Sequence, residues 1–351
     1  MISEEQRELV AAVRGLLTKR DARAGIRQVI DSDLGYDAAL WNQLCEQVGV
    51  AALAIPEEYG GFGAGLVESL LVVGELGRTL VGVPMLGSAV LGAQAVLLSG
   101  DSDACERLLP EVAAGTRTLA VCWAAASGWD SFGVRADGAT LSGTAHYVLD
   151  GTTADTLIVV TEDGLFEVDP TADGVERRRV ATMDPTRALT EITFTGMAGR
   201  KLGSAEPGPL IERLRRIAWA AVAAEQVCAA EHCLESTVEY TKSRVQFGRP
   251  IGSFQALKHR MADMYVLLES AKSVSYAATI AVAEDSPSVA EDVWVARRHC
   301  SHAFSTIAAE TIQLHGGIAI TWEHDAHLFF KRAHGDSQLF GAPKRPIPQP
   351  A

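Results

Sequence analysis

Two short stretches of the sequence combine residue types that can grip phosphate and support a flat ring. The first, Tyr240-Thr241-Lys242-Ser243-Arg244-Val245-Gln246-Phe247-Gly248-Arg249-Pro250-Ile251, closes one helical pattern and precedes the next. Arg244 can bond two pyrophosphate oxygens through its planar fork, and an aromatic ring such as Phe247 can lie on a purine. The same residues suit a solvated helix end with Phe247 turned into the core, and residue type alone leaves both readings open. The second stretch, Gln313-Leu314-His315-Gly316-Gly317, ends a later helical pattern. Its glycines remove side-chain bulk and permit positive φ, so a phosphate or ribose could approach the backbone while Gln313 hydrogen-bonds to it. A plain helix stop explains the two glycines equally.

Other reactive residue types read as structural. Cys45, Cys105, Cys122, Cys228, Cys233 and Cys300 are scattered without a C-x-x-C pair, the pattern of packing thiols in a reducing cytoplasm without structural zinc. His315, His324, His327 and His334 offer no third-ligand pattern for a metal and are expected at the surface or an interface. Glu225, Glu231, Glu235 and Glu239 form an acidic stripe expected to face solvent or another subunit.

The elements that must position these residues fall into three zones of an α+β chain. Residues 1–117 read as short amphipathic helices: Leu9, Val10, Val13 and Leu17 recur at helical spacing over Glu4 to Lys19, as do Leu70, Val73 and Leu76 over Leu66 to Leu80. Between them Pro56-Glu57-Glu58-Tyr59-Gly60-Gly61-Phe62-Gly63 forbids a continuous helix. Residues 118–203 alternate β-branched runs with Asp-Gly pairs at 137–138, 150–151, 163–164 and 173–174, predicting a small antiparallel β-domain, a barrel or sandwich with no room for helical crossovers. Residues 204–341 return to helical periodicity and predict a four-helix bundle whose third long helix runs from Val289 to Leu314. Residues 342–351 hold four of the thirteen prolines and read as an extended tail.

Composition sets the bounds. The 351 residues are 48% hydrophobic and 21% charged, with no run of eighteen apolar positions, which predicts a globular protein without a membrane span. With 44 acidic against 31 basic residues the net charge is −13, which argues against a phosphate-tracking nucleic-acid surface.

The zone order, with Pro56-Glu57-Glu58-Tyr59-Gly60-Gly61, Tyr240-x-x-x-Arg244-x-Gln246-Phe247-Gly248-x-Pro250-Ile251 and Gln313-x-x-Gly316-Gly317, resembles the acyl-CoA dehydrogenases over nearly the whole chain. Ser253-Phe254-Gln255, Lys258-His259 and Thr321-Trp322-Glu323 extend the likeness. The resemblance implies FAD, an acyl-CoA substrate, an electron-transfer acceptor and a flavin lying across a subunit interface. It implies that Arg244 binds the pyrophosphate, that Gln246 and Phe247 meet the ADP portion, and that Gln313, Gly316 and Gly317 complete that half-site.

Departures from the family pattern concentrate in the other half of the site. Where members carry an Ala-Leu-Thr-Glu-Pro-like segment that holds the flavin ring, this sequence reads Val121-Cys122-Trp123-Ala124-Ala125-Ala126-Ser127, and the Trp-Ile-Thr-like run reads Tyr147-Val148-Leu149. At the position of the usual catalytic glutamate stands Phe340. The alternative family placement falls on Ala218, and Glu212 reaches it only with an insertion; Asp336 and Glu323 are nearby acids expected to be solvated or helix-capping. No catalytic residue is therefore assigned. The resemblance extends to the shorter subunit of actinobacterial two-subunit enzymes of steroid breakdown, which implies a second acyl-CoA dehydrogenase-like subunit in a hetero-oligomer, two copies of each. The alternatives are a self-sufficient homo-oligomer using Glu212 or Asp336, and a flavin-free binding or lyase-type protein on the same scaffold.

Overall fold

The computed structural model describes residues 2–21 and 25–342, so the proline-rich tail apart from Ala342 lies outside the described residues. Six α-helices come first among the described residues, with a π-helical turn at Met85–Gly92 before the fifth: α1 (Glu4–Lys19), α2 (Ile26–Ile30), α3 (Ala38–Val48), α4 (Leu66–Gly77), α5 (Ala93–Leu98) and α6 (Ser102–Ala113). Ten strands follow. They are β1 (Leu119–Cys122), β2 (Ala124–Ala125), β3 (Gly128–Phe132), β4 (Val134–Asp137), β5 (Thr140–Leu149), β6 (Thr156–Thr161), β7 (Gly164–Val168), β8 (Val175–Val180), β9 (Leu189–Ala198) and β10 (Arg200–Leu202). The remainder comprises α7 (Pro207–Ser243), a hairpin of β11 (Val245–Gln246) and β12 (Arg249–Pro250), α8 (Gln255–Glu284), α9 (Val289–His315) and α10 (Ala326–Gln338). Helices, a β-domain and helices follow one another in the order that the resemblance implies.

Local chemistry explains the early boundaries. α1 starts where Ser3 and Gln6 form a reciprocal capping box, and it buries Val13 and Leu17. Beyond α3, which ends at Gly49 with φ +73°, the glycine-rich loop turns at Gly60 with φ +81°. Gly61 is required by a close approach: a Cβ there would lie 1.9 Å from the Ile55 carbonyl oxygen.

Eight of these strands form two four-stranded sheets, β1-β6-β7-β10 and β4-β5-β9-β8, that share one core, and β2 pairs with β3. Cys122, Leu157, Val159 and Phe166 contribute from the first, and Leu141, Ala145, Ile192 and Phe194 from the second. One pairing departs from the antiparallel expectation. β1 runs parallel to β6, Leu119 opposite Thr156 through Cys122 opposite Val159. A parallel pair needs a crossover, and the chain makes it through β4 and β5 of the other sheet, so no helix is required.

By compactness the chain divides into two units that do not follow the three zones: Met1–Val72 with Val81–Ala218, and Val73–Leu80 with Trp219–Ala351. The end of α4 belongs to the helical unit because glycine lets it lie against α7. A Cβ on Gly77 would stand 2.8 Å from the Glu225 carbonyl oxygen, and one on Gly74 3.0 Å from Cys228 Sγ. Arg78, just past α4, pairs with Glu231 at 2.7 Å and with Glu235. Glu225 is buried and paired with Arg332 of α10. The acidic stripe on α7 is thus not a uniform solvent face: Glu225 is buried against Arg332 and Glu231 is partly covered by Arg78 and Lys272, whereas Glu235 and Glu239 remain exposed while pairing with Arg78 and Lys242.

Elsewhere in this unit α8 and α9 pack lengthwise, with the Cys300 thiol 3.5 Å from the Ala271 carbonyl. By length and mean hydropathy (1.2) α8 could cross a membrane, but it buries Met264, Leu268, Ala271, Ala278 and Val282 within the protein. Arg297 of α9 donates to the Asp336 and Leu339 carbonyls at 2.6 and 2.8 Å, tying down the end of α10. Burial pulls its guanidinium down to about 10, against the opposing pull of Asp336.

Candidate functional site

The hairpin that follows α7 is a two-residue turn: Gln246 pairs with Arg249, leaving Phe247 and Gly248 at the tip with φ +54° and +76°. Both tip residues in left-handed backbone is the geometry that matches the twist of a tight hairpin. Gly248 adopts it freely, whereas a residue with a Cβ pays roughly 1–2 kcal/mol. The hairpin closes through Ile251 N–H to the Arg244 carbonyl at 2.8 Å. Phe254 meets Phe247 edge-on at 6.1 Å and carries the Arg249 guanidinium 4.0 Å above its own ring.

α9 ends at the same place. The Tyr240 hydroxyl donates to the His315 carbonyl at 3.2 Å, and the two rings stack at 4.4 Å, which pins the base of the hairpin to the Gly316-Gly317 turn. One turn earlier the Thr237 hydroxyl donates to Thr311 Oγ1 at 3.1 Å. His315 Nδ1 faces the Thr311 carbonyl at 2.8 Å and so carries the proton, while burial pushes the imidazole below its ordinary range. Gly316 has φ +69°, and a Cβ on Gly316 or Gly317 would meet nothing within 4 Å, so both backbones face open space.

Arg244, Gln246, Phe247, Gln313, Gly316 and Gly317 are all exposed, and all lie at this one end of the bundle. Among the described residues the side chains of Arg244, Gln246 and Gln313 have no hydrogen-bond or ion-pair partner. Phe247 is 92% exposed, so the reading that tucks it into the core is excluded for this chain. Val245, Ile318, Ile320 and Trp322 add exposed apolar surface in the same segments. Sequence reasoning passed over Arg249 and Trp322; both stood inside quoted motifs, and nothing but exposure sets them apart.

The sites expected to be peripheral differ more. His315 and His327 are buried, not at the surface, because Tyr240 and Trp322 pack against them. No cluster able to hold a metal occurs among the described residues. Asp336 is completely buried on α10, contrary to the solvated position expected. Phe340 is 1% exposed, and the Trp219 indole donates to its carbonyl at 3.2 Å. Glu212 is exposed and held by Arg216 of the same helix at 2.9 Å.

The β-unit shows what replaces the segment that would hold a flavin ring. Trp123 is buried and lies 5.2 Å from Trp129, which in turn stacks on Tyr147 at 5.5 Å. Tyr147 sits at a bulge in β5 with φ +58°, its hydroxyl 3.4 Å from the Ala126 carbonyl.

Comparison with known proteins follows this geometry. Residues 3–116 match the acyl-CoA dehydrogenase N-terminal domain and residues 216–343 the C-terminal domain. The acyl-CoA dehydrogenase IpdE2 of Mycobacterium tuberculosis is 45% identical over 97% of this chain and 94% of its own. The chain belongs to the acyl-CoA dehydrogenase family. Among solved structures, the ChsE4-ChsE5 complex of Mycobacterium tuberculosis superposes with a TM-score of 0.88 at 27% identity, covering 98% of this chain and 95% of that one. The Tcur3481-Tcur3483 steroid ACAD superposes with a TM-score of 0.86 at 29% identity, covering 97% and 94%. This member of the family carries an exposed, donor-rich hairpin and Gly316-Gly317 turn on its helical unit and a packed aromatic cluster among its strands.

Proposed function

We propose that this chain is one subunit of a flavin-dependent acyl-CoA dehydrogenase, lending the ADP-binding half of the FAD site to a catalytic partner of the same family. The observation that carries the reading is Phe247, an aromatic ring held 92% exposed on a left-handed turn. Neither the strain nor the exposure is rewarded within the chain, whereas a purine stacked on that ring would reward both. Arg244, Gln246 and Gln313 present free donors beside it, and the open backbone at Gly316 and Gly317 admits a phosphate or ribose. These residues fit the ADP half. Trp123, Trp129 and Tyr147 do not fit the ring half, since their side chains occupy one another's faces where an open platform would be needed.

The chemistry a bound flavin supplies in this family is acceptance of a hydride from the β-carbon of a CoA thioester. Its companion step, removal of the α-proton, needs a carboxylate, and none of the expected positions supplies one: Phe340 stands at the usual position, Asp336 is enclosed and Glu212 is held by Arg216. The similarity to chains from two-protein complexes supports a partner that contributes the base and most of the acyl pocket, with a bulky, steroid-derived CoA thioester as substrate. An electron-transfer protein would then reoxidise the flavin.

The test is to purify the chain alone and together with candidate partner chains, measuring flavin absorbance and dye-linked dehydrogenation. The expected result is flavin and turnover only in the two-chain complex. Full flavin occupancy with turnover by the lone chain overturns the proposal, and colourless, inactive protein with every partner would instead favour a flavin-free scaffold.

A further inference from the structure

A second donor-rich surface lies elsewhere on the helical unit. A groove of about 470 Å³ runs along α9 towards the end of α10, lined by Trp294, Arg297, Arg298, His299, His302 and Ser337 among others. That volume is in the range of small-molecule sites. Among the described residues no carboxylate lines it, although the chain as a whole carries 13 more acidic than basic residues.

The lining groups are not equally available. Arg297 is spent on Ser301 and two backbone carbonyls, and the Ser337 hydroxyl donates to the His334 carbonyl. His299 Nε2 is engaged with Ser270 Oγ at 2.8 Å. By contrast, Arg298 and His302 are exposed and have no hydrogen-bond or ion-pair partner among the described residues. The Arg298 guanidinium carbon lies 5.5 Å from the centre of the Trp294 ring. Trp294, Arg298 and His302 follow one another at four-residue spacing, so they form one stripe about 12 Å long on a single helix face. Burial, and to a lesser degree the neighbouring His302, hold the His299 imidazole below its ordinary range.

We propose that this groove binds the phosphoryl group of a small molecule whose flat portion lies against Trp294. The Arg298 fork and the His302 N–H offer three donors, which match the three terminal oxygens of a phosphate monoester better than the two of a carboxylate. The site is separate from the ADP half-site: Gln313 lies about 16 Å further along α9 than His302. It stands on its own residues and does not depend on the flavin reading.

The test uses the full-length chain carrying Arg244→Ala, so that the other phosphate-competent site is silenced, and titrates it calorimetrically with phenyl phosphate, inorganic phosphate and benzoate. Phenyl phosphate should bind one equivalent, more tightly than either comparison anion. Arg298→Gln and His302→Gln, both at exposed positions, should each weaken it roughly tenfold, the scale of one charge-assisted hydrogen bond. Trp294→Ala should erase the preference over inorganic phosphate. The absence of saturable binding, or phenyl phosphate binding unchanged by both Arg298→Gln and His302→Gln, would overturn the proposal. Benzoate binding as tightly would overturn the phosphoryl assignment, and inorganic phosphate binding as tightly would overturn the role of the indole.

Discussion

Replacing Phe247 with Ala separates binding from folding. The ring is 92% exposed and its nearest aromatic neighbour, Phe254, is 6.1 Å away edge-on, so truncation removes almost no buried surface. Stability of the isolated chain should change by no more than about 0.5 kcal/mol. A base stacked on an aromatic ring is worth about 1–3 kcal/mol, so flavin affinity of the two-chain complex should fall about 5- to 150-fold. Arg244→Ala should act in the same direction through about 1.5–3 kcal/mol of charge-assisted hydrogen bonding, again with the isolated chain's stability preserved, because the Arg244 side chain has no partner among the described residues. The assay is flavin retained after ultrafiltration over a series of free FAD concentrations, read by absorbance, alongside urea unfolding of each lone variant. Wild-type flavin affinity in both variants would refute the assignment of these residues. So would a large loss of stability in Phe247→Ala, since that ring would then be packing within the chain.

Three further outcomes follow from the packing. Glu225→Ala removes one carboxylate facing the buried Arg332 guanidinium, and should lower unfolding free energy by about 1–3 kcal/mol in urea titration. Gly61→Ala should prevent native folding or cut the melting temperature sharply, because the new methyl would lie 1.9 Å from the Ile55 carbonyl oxygen. Burial raises the Asp150 carboxyl from 3.8 to about 7, partly opposed by Arg187. A carboxyl raised on folding stabilises the folded state while it stays protonated, so its contribution is full below about pH 4 and is lost as pH rises through 7. Asp150→Asn should therefore remove that decline and be more stable than wild type at pH 8, as compared by urea midpoints at pH 5 and 8.

Much of the helical architecture was legible because its signals are local. Ser3 and Gln6 cap α1 at the residue where the periodicity begins, and the third long helix, expected over Val289 to Leu314, runs from Val289 to His315 before Gly316. The parallel pairing of β1 with β6 was not legible, since thirty-three residues separate the two strands and the pattern of a strand does not say which neighbour it will hydrogen-bond. The acidic stripe, expected to face solvent or another subunit, departs from that expectation at Glu225 and in part at Glu231, for a related reason. Glutamates at helical spacing look alike whether they face water or an arginine from another segment, and only the approach of α4 and α10 brings Arg78 and Arg332 to them.

The sequence by itself determined the family and the order of helices and strands, and it nominated the residues proposed to hold an ADP group, because these depend on residue type, periodicity and motif spacing. Only the tertiary structure decided whether those residues are available. The Tyr240–His315 stack, between residues 75 positions apart, brings two motifs to one end of the bundle and leaves Phe247 outside. Phe340 and Asp336, equally conspicuous in the sequence, are enclosed by the packing of α7, α9 and α10. Exposure depends on what the rest of the chain covers, and residues close in sequence do not carry that information.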